Sequence, residues 1–322
     1  MAASPSVPPL IILSWNLLMD APHHDFQYLS APHGAWAHRW PLLSKELQAH
    51  LPDAAGLQEV SHLDALSAEF SSSHYVLFAP KLSPAASPGD GCALLLNRAR
   101  FELRDVQVLY LAASQQAGCE AALSNQNAII ATARDVLAQR WVVLAVTHLK
   151  ASQTPAAERE RLCQVEQLAA AVRGARVRAE EASGAGAGAV PALLVGDFNT
   201  FPGQRPYYAL LTLAPELASA YNRLERAECT PEGYGEGEPP HTTYKFRGGV
   251  EKRVTEDYIF YTAGRGLQRR ALLRLPSVAE LGEGRGMPSS VYPSDHLLLG
   301  CQFVWEEEAA EEEQTELGAE YA

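Results

Sequence analysis

The chain is poor in lysine. Only five of its 26 basic residues are Lys (45, 81, 150, 245 and 252), set against 38 acids, and the formal net charge is −12. A surface that would hold nucleic acid by charge alone is thereby excluded for the chain as a whole. The deficit is uneven, however. After Trp305 the sequence runs EEEAAEEEQTELGAEYA, eight acids without a base, which carries −8 of the −12 and leaves the remainder near −4. Residues 306–322 are expected to be a solvated acidic tail. Cysteine is also scarce: five residues (92, 119, 163, 229 and 301), odd in number and never in a Cys-x-x-Cys pair. That excludes a disulfide framework and a thiolate zinc site, and points to reduced thiols in a cytosol-like compartment. No apolar run approaches the roughly 20 residues of a membrane span. The opening MAASPSVPPL has neither the regions of a secretory signal nor the arginines of a transit peptide. Nothing before residue 10 offers a repeat for tethering to a larger assembly. The expectation is a cytoplasmic monomer without a membrane span.

What is present is an ordinary globular balance, 47% hydrophobic and 20% charged over 322 residues, enough for a sizeable core. No linker divides it, so residues 10–305 are read as one domain between a short segment 1–9 and the tail. The organising stretch is Pro191–Gly203, PALLVGDFNTFPG. Its run Ala192–Val195 has the length and bulky aliphatics of a strand buried on both faces, and it stops at Gly196-Asp197-Phe198-Asn199 before Pro202-Gly203 turns the chain. Taken alone, Asp197-x-Asn199 is more readily read as a side-chain-capped turn. Further apolar runs predict strands at Leu10–Leu13, Ala54–Leu57, Tyr75–Ala79, Cys92–Leu96, Ala128–Ala133 with Trp141–Thr147, Val254–Thr262 and Leu297–Val304. Helical spacing of Trp36, Trp40, Leu43, Leu47 and Leu51 predicts a helix over 36–51 with Pro41 in its first turn. Thr154-Pro155 predicts the start of a second helix, with Leu162, Val165, Leu168 and Val172 on one face. Irregular alternation of strands with few helices favours a two-layer β core flanked by helices.

Six of these strands begin or end on a residue able to bind metal or move a proton: Asn16, Glu59, His148, Asp197 with Asn199, Asp257, and Asp295 with His296. Each has a bland explanation, as a cap, a solvated strand end, a core histidine or an ion pair. All of them bland together is a poor account, because polar groups at buried strand ends are costly unless partnered. Hard carboxylate oxygens suit Mg²⁺ or Mn²⁺ better than zinc, and the histidines and asparagines supply what phosphoester hydrolysis also requires.

In order and separation, the motifs WN, LQEV, THL, GDFN, DYIFY and SDH resemble the endonuclease/exonuclease/phosphatase superfamily over about residues 10–305. The resemblance implies a four-layered α/β sandwich, two mixed sheets face to face with helices outside. It implies that Glu59 holds the metal with Asn16 and Asp295 nearby, and that Asp197 and Asn199 orient the attacking water. Asp257 would pair with His296 at the scissile phosphate, and His148 would stabilise its developing charge. The stretches FAPKLSPAASPGDGCALLL (78–96), NQNAIIA (125–131), VTHLKA (146–151), EPPHTTYKFR (238–247) and YPSDHLLL (292–299) are most similar to the nocturnin branch, among relatives of the carbon-catabolite-repressor-type deadenylases. That branch implies removal of the 2′-phosphate of NADP(H), with Lys81, Lys150, Lys245 and Arg247 gripping the dinucleotide. The alternative partner is the 3′ end of single-stranded RNA, shortened as poly(A); a third reading is a non-catalytic binding module. The branch pattern has Arg where this chain has Ser152, and Trp where it has Tyr244.

Overall fold

The computed structural model describes residues 7–20, 33–82, 89–112, 123–222, 237–247, 249–282 and 286–306. The acidic tail beyond Glu306, Cys119, Cys229 and most of the loops expected at 83–91 and 231–240 lie outside these residues. Two six-stranded sheets carry the fold. The first has the order β13-β14-β1-β2-β4-β3, formed by β1 (Leu10–Asn16), β2 (Ala54–Gln58), β3 (His74–Pro80), β4 (Gly91–Asn97), β13 (Leu267–Leu272) and β14 (Leu299–Trp305). The second runs β5-β6-β7-β8-β12-β9, from β5 (Phe101–Ala112), β6 (Leu123–Asp135), β7 (Arg140–His148), β8 (Ala192–Asp197), β9 (Leu217–Ser219) and β12 (Asp257–Thr262). Each sheet has one parallel pair at its centre, β1/β2 and β7/β8, with antiparallel neighbours. Both sheets are therefore mixed. A hairpin of β10 (Thr243–Arg247) and β11 (Val250–Val254) stands apart from them.

Three apolar clusters fill the spaces between layers. Ile12, Leu94, Ile129, Leu144, Val146 and Val195 pack between the two sheets. The outer face of the first sheet is covered by α1 (Trp36–Ala49) and α2 (Leu63–Phe70) through Leu43, Leu47, Leu66 and Phe70. That of the second is covered by α3 (Pro155–Ser183) and α4 (Arg205–Leu213) through Val165, Leu168, Val172 and Leu210. The architecture is a four-layered α/β sandwich. Gly56 sets how closely the sheets approach: a Cβ there would collide with Val195. No helix among the described residues is long and apolar enough to cross a membrane.

Several local expectations shift. Pro41 is the sixth residue of α1, not in its first turn, because the helix already begins at Trp36, whose ring stacks on Trp40. Val254–Thr262 is two elements, since Thr255 and Glu256 break out of strand pairing between β11 and β12. The last strand starts at Leu299, leaving Asp295–Leu298 as an irregular entry. Helix α3 starts where Thr154-Pro155 predicted it, the Thr154 hydroxyl accepting the Ala157 N–H at 3.2 Å. Its buried face, though, includes Arg161, fully buried where Leu162 is only half-buried.

Candidate active site

The strand register builds the site. In the second sheet Asn127, His148, Asp197 and Asp257 are successive partners across β6, β7, β8 and β12. Side chains alternate along a strand. These four end the rows of Ile129, Val146, Val195 and Ile259, which face the other sheet. In the first sheet Asn16 closes β1 opposite Gln58, one residue before Glu59. The result is a polar layer at one end of the inter-sheet core. Gly196 permits it, since a Cβ there would strike the Thr147 carbonyl oxygen on β7.

Asn16 is the hub between the sheets. Its fully buried carboxamide nitrogen donates to Glu59 Oε1 at 3.2 Å and to Asp197 Oδ2 at 3.0 Å, and its oxygen accepts the Leu18 N–H at 2.9 Å. Glu59 Oε2 accepts the Met19 N–H at 2.9 Å. Asp197 Oδ1 accepts the Asn199 N–H at 2.9 Å, while Asn199 donates from its side chain to the Leu149 carbonyl. The turn seen in isolation at Asp197-x-Asn199 and a reactive carboxylate are thus the same structure. The two histidines flank Asp197 Oδ2, His148 Nε2 at 3.5 Å and His296 Nε2 at 3.8 Å. His296 Nδ1 faces both Asp257 oxygens, at 3.1 and 3.0 Å. Asp257 in turn accepts the Thr242 hydroxyl at 2.6 Å. His296 is fixed further by Trp15, whose indole N–H donates to its carbonyl, and by Ser294, which accepts its amide N–H and donates to the Asn16 carbonyl.

Backbone strain gathers here. Of six non-glycine residues with positive φ among the described residues, Leu18 (59°), Glu59 (55°), Ser152 (83°) and Asn199 (49°) belong to the site or its rim. Each such residue costs on the order of 1–3 kcal/mol and persists only where surrounding contacts over-determine it, which is common at functional sites.

Burial drives the electrostatics. It raises the Asp197 carboxyl, helped by the neighbouring Asp257 charge, to about 7. Burial would lower the His296 imidazole, but Asp257 and Asp197 outweigh it and hold its pKa near 9. His148 goes the other way: burial and the Lys81 charge press it well below the usual imidazole range, so it is neutral. Glu59 stays ionised, the opposing effect of burial being outweighed by the Lys81 charge and the Met19 amide.

Asp197, Asp257 and His296 present ligand atoms within 4.8 Å of one another, and Glu59 and Asp295 add carboxylates to the same cleft. Several acids converge here, and like charges this close are costly without a cation. A set of carboxylate oxygens with one imidazole nitrogen fits a hard divalent ion. The residues therefore suit the metal that the sequence motifs imply.

The cleft above this cluster has a volume of about 430 Å³. Ser152 and Lys245, both singled out in the sequence, line it. Lys150 is not among the lining residues; its N–H is held by Gln164 and its carbonyl by Arg161. Lys81 is paired with Asp90 at 2.6 Å. The Arg247 side chain lies outside the described residues. Sequence reasoning missed Thr242, Glu256 and Lys252. Thr242 had no signal, being one hydroxyl in a polar stretch. Lys252 had one: Gly248-Gly249 between two extended stretches is a two-residue hairpin signature, and recognising it pairs Lys252 with Lys245.

A family model described as Endonuclease/Exonuclease/phosphatase family matches residues 13–296. Nocturnin of Xenopus laevis is 32% identical over 314 residues, covering 93% of this chain and 73% of that protein. Human nocturnin is 32% identical over 317 residues, covering 94% and 67%. Carbon catabolite repressor protein 4 homolog 2 of Arabidopsis thaliana is 28% identical, covering 91% and 57%. Among solved structures, the human nocturnin catalytic domain with bound sulfate anion aligns with a TM-score of 0.70 at 29% identity, over 92% of this chain and 95% of that one. ANGEL2, a 2′,3′-cyclic phosphatase, shares the fold with a TM-score of 0.69 at 19% identity, covering 92% and 95%.

Proposed function

The chain belongs to the endonuclease/exonuclease/phosphatase family, on its nocturnin-like side, and we propose that it removes the 2′-phosphate of NADP(H). Family members are divalent-metal-dependent phosphoester hydrolases. The observation that carries the finer reading is the cleft. Its rim offers Lys245 and Lys252, and no Phe, Tyr or Trp is among the described residues that line it. A nuclease tracking poly(A) needs a basic groove with stacking platforms; a phosphatase of a small anionic substrate needs only a socket with cations. The sulfate in the human nocturnin structure shows that relative holding a tetrahedral oxyanion, the shape of the group to be removed.

In this reading Glu59 and Asp295 would hold the divalent ion, Mg²⁺ or alternatively Mn²⁺, with Asn16, which ties Glu59 to Asp197, beside them. The ion's part is to offset charge on the phosphate oxygens. Asp197, with a pKa of about 7, is matched to accept a proton from water near neutral pH, and Asn199 fixes its orientation. Neutral His148 offers an N–H to a phosphate oxygen without adding charge. His296, protonated and held by Asp257, donates its proton to the departing 2′-oxygen as the P–O bond breaks. The products are inorganic phosphate and the dinucleotide with a free 2′-hydroxyl. A reducing, cytoplasmic location is part of the proposal, supported by the buried thiols of Cys92 and Cys301, neither of which is in a disulfide.

Ser152 tests the substrate. Its carbonyl is held by Arg161 at 2.5 Å, and Gln153 bonds the Asn199 carbonyl at 3.1 Å, so the loop is fixed to the reactive turn. Ser152→Arg adds no backbone strain, since serine already carries a Cβ at this φ. It adds a planar, permanently charged fork to the cleft wall. The NADPH Michaelis constant should fall about tenfold with kcat unchanged, the pattern of uniform binding. Kinetics on NADPH and oligo(A) in parallel decide: unchanged NADPH constants together with faster oligo(A) shortening would refute the dinucleotide reading.

A further inference from the structure

Lys245 on β10 and Lys252 on β11 are direct cross-strand partners. Like charges placed opposite one another weaken a hairpin, and among the described residues this one forms a two-stranded sheet, bridged to the site segment only through Thr243 and His296. Glu256 relieves the repulsion. Its buried carboxylate, 1% exposed, lies 2.8 Å from Lys252 Nζ and 3.5 Å from Lys245 Nζ. All three residues line the cleft that holds Glu59, His148, Asp197 and His296. The two lysines differ in access: the Lys245 side chain is 15% exposed and that of Lys252 38%. Lys252 also lies over the Phe201 ring at 4.9 Å, which confines the ammonium to the cleft side of the hairpin without using its N–H donors. An ammonium has three such donors, and Glu256 takes one.

We propose that Lys252 is a specificity-determining cation of this enzyme, gripping a phosphate of the substrate remote from the one removed. The class of group is a pyrophosphate bridge. The pair of lysines on one carboxylate is a cation pair on the cleft that Ser152 also lines, where the motif pattern leads one to expect arginine. The charge bookkeeping agrees with the placement. Glu256 remains ionised although burial opposes it, because Lys245 and Lys252 outweigh burial. The two ammonium groups are therefore held in place before an anion arrives. Other charged groups on this rim are Glu251, paired with Arg253 at 2.7 Å and so partly cancelled, and the reactive cluster on the floor.

This inference rests on the dinucleotide reading for its physiological ligand, yet it is testable apart from it. The metal-loaded enzyme would be assayed by phosphate release from NADPH and from adenosine 2′-monophosphate, which lacks the pyrophosphate. Inhibition by inorganic pyrophosphate would be measured on whichever substrate turns over. Lys252→Ala should raise the NADPH Michaelis constant and the pyrophosphate inhibition constant about tenfold each, the size of one charge-assisted contact. It should leave kcat, and both constants for adenosine 2′-monophosphate, unchanged. Lys252→Arg, which keeps the charge, should restore most of the loss. If wild-type enzyme fails on NADPH but pyrophosphate inhibition still weakens tenfold in Lys252→Ala, the clamp stands and the NADP(H) reading falls. If pyrophosphate inhibition is the same in wild type and Lys252→Ala, or if kcat falls equally on both substrates, Lys252 is not the clamp.

Discussion

Asp197→Asn should reduce kcat by about 10²–10⁴, the usual worth of a positioned acid–base group, while leaving substrate binding intact. The isostere keeps an acceptor for the Asn16 amide or the Asn199 N–H, but it cannot take a proton. It also removes one of two buried carboxylates that repel each other, so phosphate affinity should hold or tighten. The same substitution has a stability signature whose sign is fixed by the raised pKa. The unfolded carboxyl ionises near 4, whereas the folded one does so at about 7. Below pH 4 both forms are neutral and Asp197 carries no penalty. Between 4 and 7 the unfolded state loses its proton first, and wild-type stability declines as pH rises. After chelation of metal, Asp197→Asn should therefore melt at a higher temperature than wild type at pH 8 and at nearly the same temperature at pH 4. Wild-type turnover in the variant would return Asp197 to a turn-forming role.

The second large effect is expected at Glu59. Glu59→Gln keeps an oxygen for one of its two N–H donors, Asn16 Nδ2 or Met19 N, but turns an amide against the other and removes the charge. Loss of a supporting partner alone typically costs 10–100-fold in metal affinity, so loss of a ligand charge should cost at least about 100-fold. Activity at millimolar Mg²⁺ should fall by two orders of magnitude or more and recover partly as Mg²⁺ is raised. The thermal midpoint without metal should stay within a few degrees of wild type, because Glu59 sits at a half-buried strand end and not in the core. Full activity at ordinary metal concentration would remove Glu59 from the metal site.

How much of this was readable beforehand follows a physical line. An apolar run that stops at a polar residue is a local signal, and it located Asn16, Glu59, His148, Asp197, Asp257 and His296 before any fold was known. Their convergence was not local: it depends on register across four strands and on two sheets facing each other, and the family resemblance supplied that step. Elements that escaped are those whose pattern is set by partners. Strand β5 alternates only loosely and lies at a sheet edge, with Val106 and Val108 exposed. Helices α2 and α4, of eight and nine residues, are too short to repeat a period convincingly. Arg161 occupies a buried helix position because its guanidinium answers the carbonyls of Lys150 and Ser152, a demand visible only once the loop is placed. Glu256 was invisible for a similar reason, its meaning coming from two lysines brought to it by the hairpin.

The most direct measurement is phosphate release from NADPH set beside shortening of a 5′-labelled oligo(A), both with Mg²⁺ and the purified protein. The account predicts stoichiometric inorganic phosphate and NADH, abolished by Asp197→Asn, with oligo(A) left at its original length. Shortening of oligo(A) with no phosphate released from NADPH would contradict it.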